Sequence, residues 1–154
     1  MCIIIKVKKE LSSLSYEKEL IRALKECIEI PSVIDENHST TPYGKEINNA
    51  LTYFLSLGDK MGFVTKNINS QCGVIEYGDG EESIGILVHC DVVPSGSGWK
   101  TNPFELVEEG GKLYGRGTID DKGPALATLF ALKRIKDKGI AGKRKVKFII
   151  GTDE

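Results

Sequence analysis

Three short clusters in this 154-residue sequence carry side chains that could hold a metal ion or move a proton. They are His89-Cys90-Asp91, Asp120-Asp121 and Asp153-Glu154. An imidazole combined with carboxylates is the donor mix that zinc and similar borderline metals accept. The His-x-Asp spacing adds to this, because a ligating histidine commonly has a nearby carboxylate that fixes its tautomer and ring orientation. Each cluster alone also has an ordinary structural explanation. A histidine at a strand end is often simply hydrogen-bonded, paired acids before a helix complement its dipole, and an Asp-Glu pair is often solvated surface.

The elements that must position these residues follow from the apolar spacing. A helix is predicted over 16–30, with Leu20, Ile21, Leu24, Cys27 and Ile28 at helical intervals, Ser15 as its cap and Pro31 as its stop. Residues 33–42 form a polar loop that holds His38, and a second helix fits 45–61. The period then changes. Strands are predicted over 63–68 and 72–77, and the apolar run Ile84-Gly85-Ile86-Leu87-Val88 reads as a strand buried on both faces. Residues 104–107 and 112–114 flank Glu109-Gly110-Gly111 as a hairpin. A third helix over 124–138 turns Leu126, Leu129, Phe130 and Ile135 inward, and a final strand covers 145–150. This order implies an α/β fold: a three-layer sandwich with a mixed, largely parallel sheet flanked by helices. The first cluster follows one buried strand, the third follows the other, and the second precedes a helix. All three can therefore meet at the carboxyl ends of the strands, where open α/β sheets build their sites.

The joint pattern is more specific than its parts. His89-Cys90-Asp91-Val92-Val93-Pro94 comes first, then Trp99 with Asn102-Pro103-Phe104. The run Leu113-Tyr114-Gly115-Arg116-Gly117-Thr118-Ile119-Asp120-Asp121-Lys122-Gly123-Pro124 follows, and Gly151-Thr152-Asp153-Glu154 comes last. The series resembles the di-zinc exopeptidase and deacylase superfamily, which includes aminoacylases, acetylornithine deacetylase and succinyl-diaminopimelate desuccinylase, and most of all its dipeptidase V branch. Residues 16–33, ending Ile30-Pro31-Ser32-Val33, are similar to the superfamily's opening helix. The resemblance implies His89 as a ligand of one zinc, Asp91 as the acid that orients it, and Asp120 as the carboxylate bridging two zincs. It also implies a cis peptide between Asp120 and Asp121, and Glu154 as the general base toward the attacking water. Cys90 falls at a position where the superfamily carries an ordinary apolar residue, which implies packing rather than ligation.

The same resemblance makes 154 residues a portion of a longer design. A second glutamate after the base, a further Asp ligand, a late His ligand and an inserted lid or dimerisation domain would all lie beyond Glu154. Residues 1–15 are expected to be an extension of unclear role, and 16–154 the N-terminal part of a metallopeptidase catalytic domain. With His89 and Asp120 as its zinc ligands, the chain alone is expected to bind metal weakly and to hydrolyse little. Its expected substrate is a dipeptide, with an N-acyl amino acid as the nearest alternative. A non-catalytic module that binds a partner, and a phosphate-binding module built on Gly115-Arg116-Gly117, are the readings from other classes. The phosphate reading suffers from the absence of a following Gly-Lys-Ser/Thr and from Asp120 and Asp121, which would repel an anion.

Composition narrows the partners. With 21 Lys+Arg against 22 Asp+Glu the net charge is −1, and the basic residues are scattered, so no nucleic-acid partner is expected. No apolar stretch is long enough to cross a bilayer, and the Met1-Cys2-Ile3-Ile4-Ile5 run is interrupted by Lys6, Lys8 and Lys9. Cys2, Cys27, Cys72 and Cys90 form no CxxC pair, which disfavours a structural zinc knot. They read as reduced thiols of a cytoplasmic protein.

Overall fold

A computed structural model describes residues 11–35, 41–140 and 142–154. His38, and most of the expected N-terminal extension, lie outside the described residues. Helix α1 spans Leu11–Ile28, so it starts earlier than the apolar spacing indicates. Ser15 lies inside it, and its hydroxyl donates to Glu19 at 3.0 Å instead of capping the helix. Pro31 ends the helical path as expected, since its ring disfavours the helical conformation of the residue before it. Helix α2 spans Lys45–Lys60 and helix α3 spans Lys122–Asp137.

Four strands form the main sheet: β1 (Val64–Ile68), β2 (Cys72–Tyr77), β3 (Ser83–His89) and β6 (Lys145–Gly151), in the order β1-β2-β6-β3. Strands β4 (Val107–Glu109) and β5 (Lys112–Tyr114) form a separate hairpin. Its two-residue turn, Gly110-Gly111, has positive φ at both positions (59° and 72°), which glycine adopts without a side-chain penalty. The architecture is α/β with a mixed sheet. Strand β3 runs parallel to β6, while β1–β2 and β2–β6 are antiparallel.

Register decides which face is covered. Ile86 and Val88 of β3 lie opposite Phe148 and Ile150 of β6, and Ile75 of β2 also lies opposite Phe148. This face packs against Leu24, Cys27 and Ile28 of α1, Leu51 and Phe54 of α2, and Leu126 and Leu129 of α3 in one core. The reading of β3 as buried on both faces is corrected here. Leu87 points to the other face and is 78% exposed, and Val64 and Ile68 on that same face are exposed too. Among the described residues β3 is an edge strand with helices over one side only, so a continuous apolar run is covered on alternate positions. One inward assignment on α3 also changes: Leu132 is buried, whereas Ile135 is exposed.

Candidate metal centre

The parallel pairing of β3 with β6 sets His89 opposite Gly151, and the ladder runs one step further through Cys90 N–H donating to Gly151 O at 3.0 Å. The chain therefore needs only three residues beyond Gly151 to bring Glu154 to the histidine ring. Thr152 fixes that path. It is buried, and its hydroxyl donates to Gln71 O at 2.6 Å, which turns the following residues toward the carboxyl end of β3.

The second limb arrives from the start of α3. Gly123 N–H donates to Gly117 O at 3.0 Å, folding the Gly115-Arg116-Gly117-Thr118 loop back over the first helical turn. The approach is so close that a Cβ on Gly123 would lie 2.0 Å from Thr118 O. Asp120 and Asp121 precede this turn, joined by a cis peptide.

The limbs meet at His89. Its Nδ1 lies 3.3 Å from Asp91 Oδ1, its Nε2 lies 3.1 Å from Asp120 Oδ1, and Glu154 Oε2 lies 3.8 Å from the same Nε2. The His89 backbone N–H donates to Asp121 Oδ2 at 3.2 Å. Donor atoms of His89, Asp120 and Glu154 all lie within 4.8 Å of one another. The histidine side chain is only 15% exposed, whereas Asp120 (69%) and Glu154 (64%) face solvent. One imidazole and two open carboxylates at this spacing fit a borderline divalent ion by charge, donor type and access.

Electrostatics reflect the crowding of acids. Burial works against protonation of His89, but the Asp120 carboxylate accepting from the ring and the charges of Asp91, Asp121 and Glu154 outweigh it, and the imidazole is raised above its ordinary value. Burial is also the main reason that the Asp121 carboxyl is raised. The His89 N–H bond and ring pull it down, while Asp120 and Glu154 push it up. Cys90, between the two site residues of β3, points into the core. Its sulfur lies 4.0 Å from Ile47 O, fully buried and turned away from the carboxylates of the site, and burial pushes the thiol up to about 12.

Trp99 and Arg116 serve the loop that follows Asp91. Arg116 lies over the Trp99 ring at 5.5 Å and donates to the carbonyls of Pro94 and Ser95 at 3.3 and 3.1 Å, and the Trp99 indole donates to Ser95 O at 2.7 Å. These contacts turn the Arg116 guanidinium to the protein, away from the anion-binding use the glycine-flanked arginine suggested. Sequence reasoning assigned no role to Lys122 or Ser32. Both are completely buried and bonded next to the site; the only signal was their place inside the Asp-Asp-Lys-Gly-Pro and Ile-Pro-Ser-Val runs.

Comparison with known proteins finds a family similar to the part of the chain that carries the site. Residues 85–154 match peptidase family M20/M25/M40. This is the superfamily that the four motifs resemble, and the M20 match spans all three clusters. The chain is 44% identical over 147 residues to "Putative dipeptidase YtjP" of Bacillus subtilis, covering 94% of this chain and 32% of that protein. A "Putative dipeptidase" of Staphylococcus epidermidis is 41% identical over 143 residues, with 92% and 30% covered. Among solved structures, human carnosine dipeptidase 1 superposes with a TM-score of 0.78 at 26% identity, over 92% of this chain and 33% of that one. The M20 family metallo-carboxypeptidase Sso-CP2 of Sulfolobus solfataricus gives 0.74 at 27% identity, over 88% and 31%. The chain spans about a third of the length of the curated relatives it matches, and its fold is similar to that of the corresponding part of the M20 carboxypeptidase. No helix among the described residues is long and apolar enough to cross a membrane.

Proposed function

We propose that this chain supplies the first part of the active site of a zinc-dependent dipeptidase, working in a cytoplasmic setting. The observation that carries the reading is the meeting of His89, Asp120 and Glu154 at the carboxyl ends of β3 and β6. The identity to proteins named as dipeptidases supports the substrate class. In this reading His89 Nε2 and the Asp120 carboxylate would hold the metal. Asp91 accepts the His89 Nδ1–H, so the Nε2 lone pair faces Asp120 and Glu154. A pair of divalent ions supplies Lewis-acid polarisation of the amide carbonyl and a water acidic enough to ionise near neutral pH. Glu154 Oε2, exposed and 3.8 Å from the ring, takes the proton of the attacking water and delivers it to the leaving amine nitrogen. With one histidine and open carboxylates as donors, the 154 residues alone bind zinc weakly and turn over little substrate.

The test is a chimera in which these residues replace the matching first third of the Bacillus subtilis relative. It is assayed on dipeptides and on N-acetyl amino acids. Dipeptide hydrolysis that falls by roughly 100-fold or more with His89→Ala or Glu154→Gln is expected. Preference for N-acetyl amino acids would make the protein a deacylase, and activity indifferent to both substitutions would overturn the site.

A further inference from the structure

The candidate centre is assembled from limbs far apart in sequence, and two of them share an anchor outside it. The end of α1 presents carbonyls that have no partner within the helix, and it is the negative pole of the helix dipole. Lys122, the residue after Asp121, reaches across to this end: its Nζ donates to Cys27 O at 2.9 Å and to Ile30 O at 2.6 Å. Two residues past Ile30, Ser32 turns the other way. Its hydroxyl donates to Cys90 O at 2.7 Å, and its own carbonyl accepts from Val92 N–H at 2.8 Å. Lys122 and Ser32 are both fully buried.

These bonds act on the backbone of the site. Cys90 is the residue between His89 and Asp91, so a bond to its carbonyl fixes the peptide from which both side chains project. Lys122 is adjacent to the Asp120-Asp121 pair, so its tether sets where the first turn of α3 begins. Among the described residues the His89 N–H to Asp121 bond and the His89 to Asp120 contact join the two limbs at the site itself. A donor set held at such distances needs a rigid support to keep its spacing.

We propose that Lys122 and Ser32 are positioning residues of the centre, which clamp the His89–Asp91 limb and the Asp120–Asp121 limb to one bracket, residues 27–32. The inference rests on reading the cluster as a metal centre. A buried lysine that merely capped α1 would stabilise the fold without affecting the spacing of donors.

The experiment uses the 154-residue chain with Lys122→Met, which keeps the stem and removes the donor, and Ser32→Ala, which removes one hydroxyl. Phe54→Leu in α2 serves as a core-destabilised control, and His89→Ala as the ligand control. Cobalt(II) affinity is read from visible absorbance, and hydrogen exchange of the His89 amide is compared with that of Phe148 in the metal-free chain. Both positioning variants are expected to weaken cobalt binding by roughly 10- to 100-fold. They should also speed exchange at His89 more than at Phe148, while Phe54→Leu changes neither the affinity nor that ratio. Unchanged affinity and unchanged relative exchange in the folded variants would overturn the proposal. Should Lys122→Met fail to fold, Ser32→Ala decides alone. Cobalt binding that His89→Ala leaves intact would overturn the metal reading instead, and the exchange ratio then decides the clamp by itself.

Discussion

Among the described glycines Gly123 leaves the least room for a side chain, which makes Gly123→Ala an informative perturbation outside the ligands. The added Cβ would sit 2.0 Å from the Thr118 carbonyl oxygen, and such contacts are essentially never closer than 3.0 Å, so the two must part by at least 1.0 Å. The obstacle is backbone and cannot swing away. Gly123 N–H is itself bonded to Gly117 O at 3.0 Å, so moving apart breaks that bond. An unsatisfied donor costs about 1–3 kcal/mol and overpacking about as much again. Together they give about 2–6 kcal/mol. At about 3 °C per kcal/mol for a chain of this size, the thermal midpoint should fall by roughly 6–18 °C. The control is Gly85→Ala in β3, where the nearest atom to the new Cβ is 3.8 Å away; its midpoint should stay level or rise. The displaced element begins just after Asp120 and Asp121, so zinc affinity should fall as well. Circular dichroism melts and zinc calorimetry read both effects. A Gly123→Ala midpoint equal to that of Gly85→Ala, with unchanged zinc affinity, would refute the claim that this contact sets the α3 limb.

Three further outcomes follow from the same geometry. Asp91→Asn leaves the fold in place but weakens the Nδ1 contact, so zinc affinity measured by calorimetry should drop roughly 10- to 100-fold; an unchanged value would remove Asp91 from its orienting role. In the metal-free chain the raised His89 imidazole binds its proton more tightly folded than unfolded. Its stabilisation is therefore complete below the ordinary value of 6.5 and is lost as pH rises through the higher folded value. Wild type minus His89→Gln should thus lose stability as pH rises above 6.5 in urea melts, while zinc uptake, which needs the neutral ring, strengthens as the proton leaves; a flat difference would contradict the raised imidazole. Cys27 and Cys90, fully buried and pushed up to about 11 and about 12, should resist alkylation until unfolding, whereas the partly exposed Cys72 reacts first; peptide mapping checks the order.

Local pattern carried much of this structure. Pro31 marked the end of α1, and β2 and β6 lie where their apolar residues put them; Gly110-Gly111 marked a hairpin, but its first strand is Val107–Glu109 rather than 104–107, with Glu109 paired to Lys112 instead of lying in the turn. Local pattern failed where the answer depended on a neighbour far away in sequence. The apolar run of β3 is the same whether one face or two is covered, and among the described residues nothing covers Leu87. Ile135 lies six residues after Leu129, which is not a helical repeat, so it falls off the face that Leu126, Leu129 and Leu132 bury. For the site, each cluster was visible as residue types. Their meeting at one point is a property of the β3–β6 register and of the α3 limb folded against His89. Lys122 and Ser32 were the least legible of all, because a lysine and a serine read as surface until their buried carbonyl partners on other segments are seen.

The central claim is that His89 and Asp120 hold metal at one site, with Glu154 beside them as the base. Zinc calorimetry on the 154-residue chain, side by side with His89→Ala and Asp120→Asn, tests it most directly. The account predicts weak zinc binding by the wild type that both substitutions abolish. Binding of equal strength in all three proteins, or two tightly held zinc ions per chain, would contradict it.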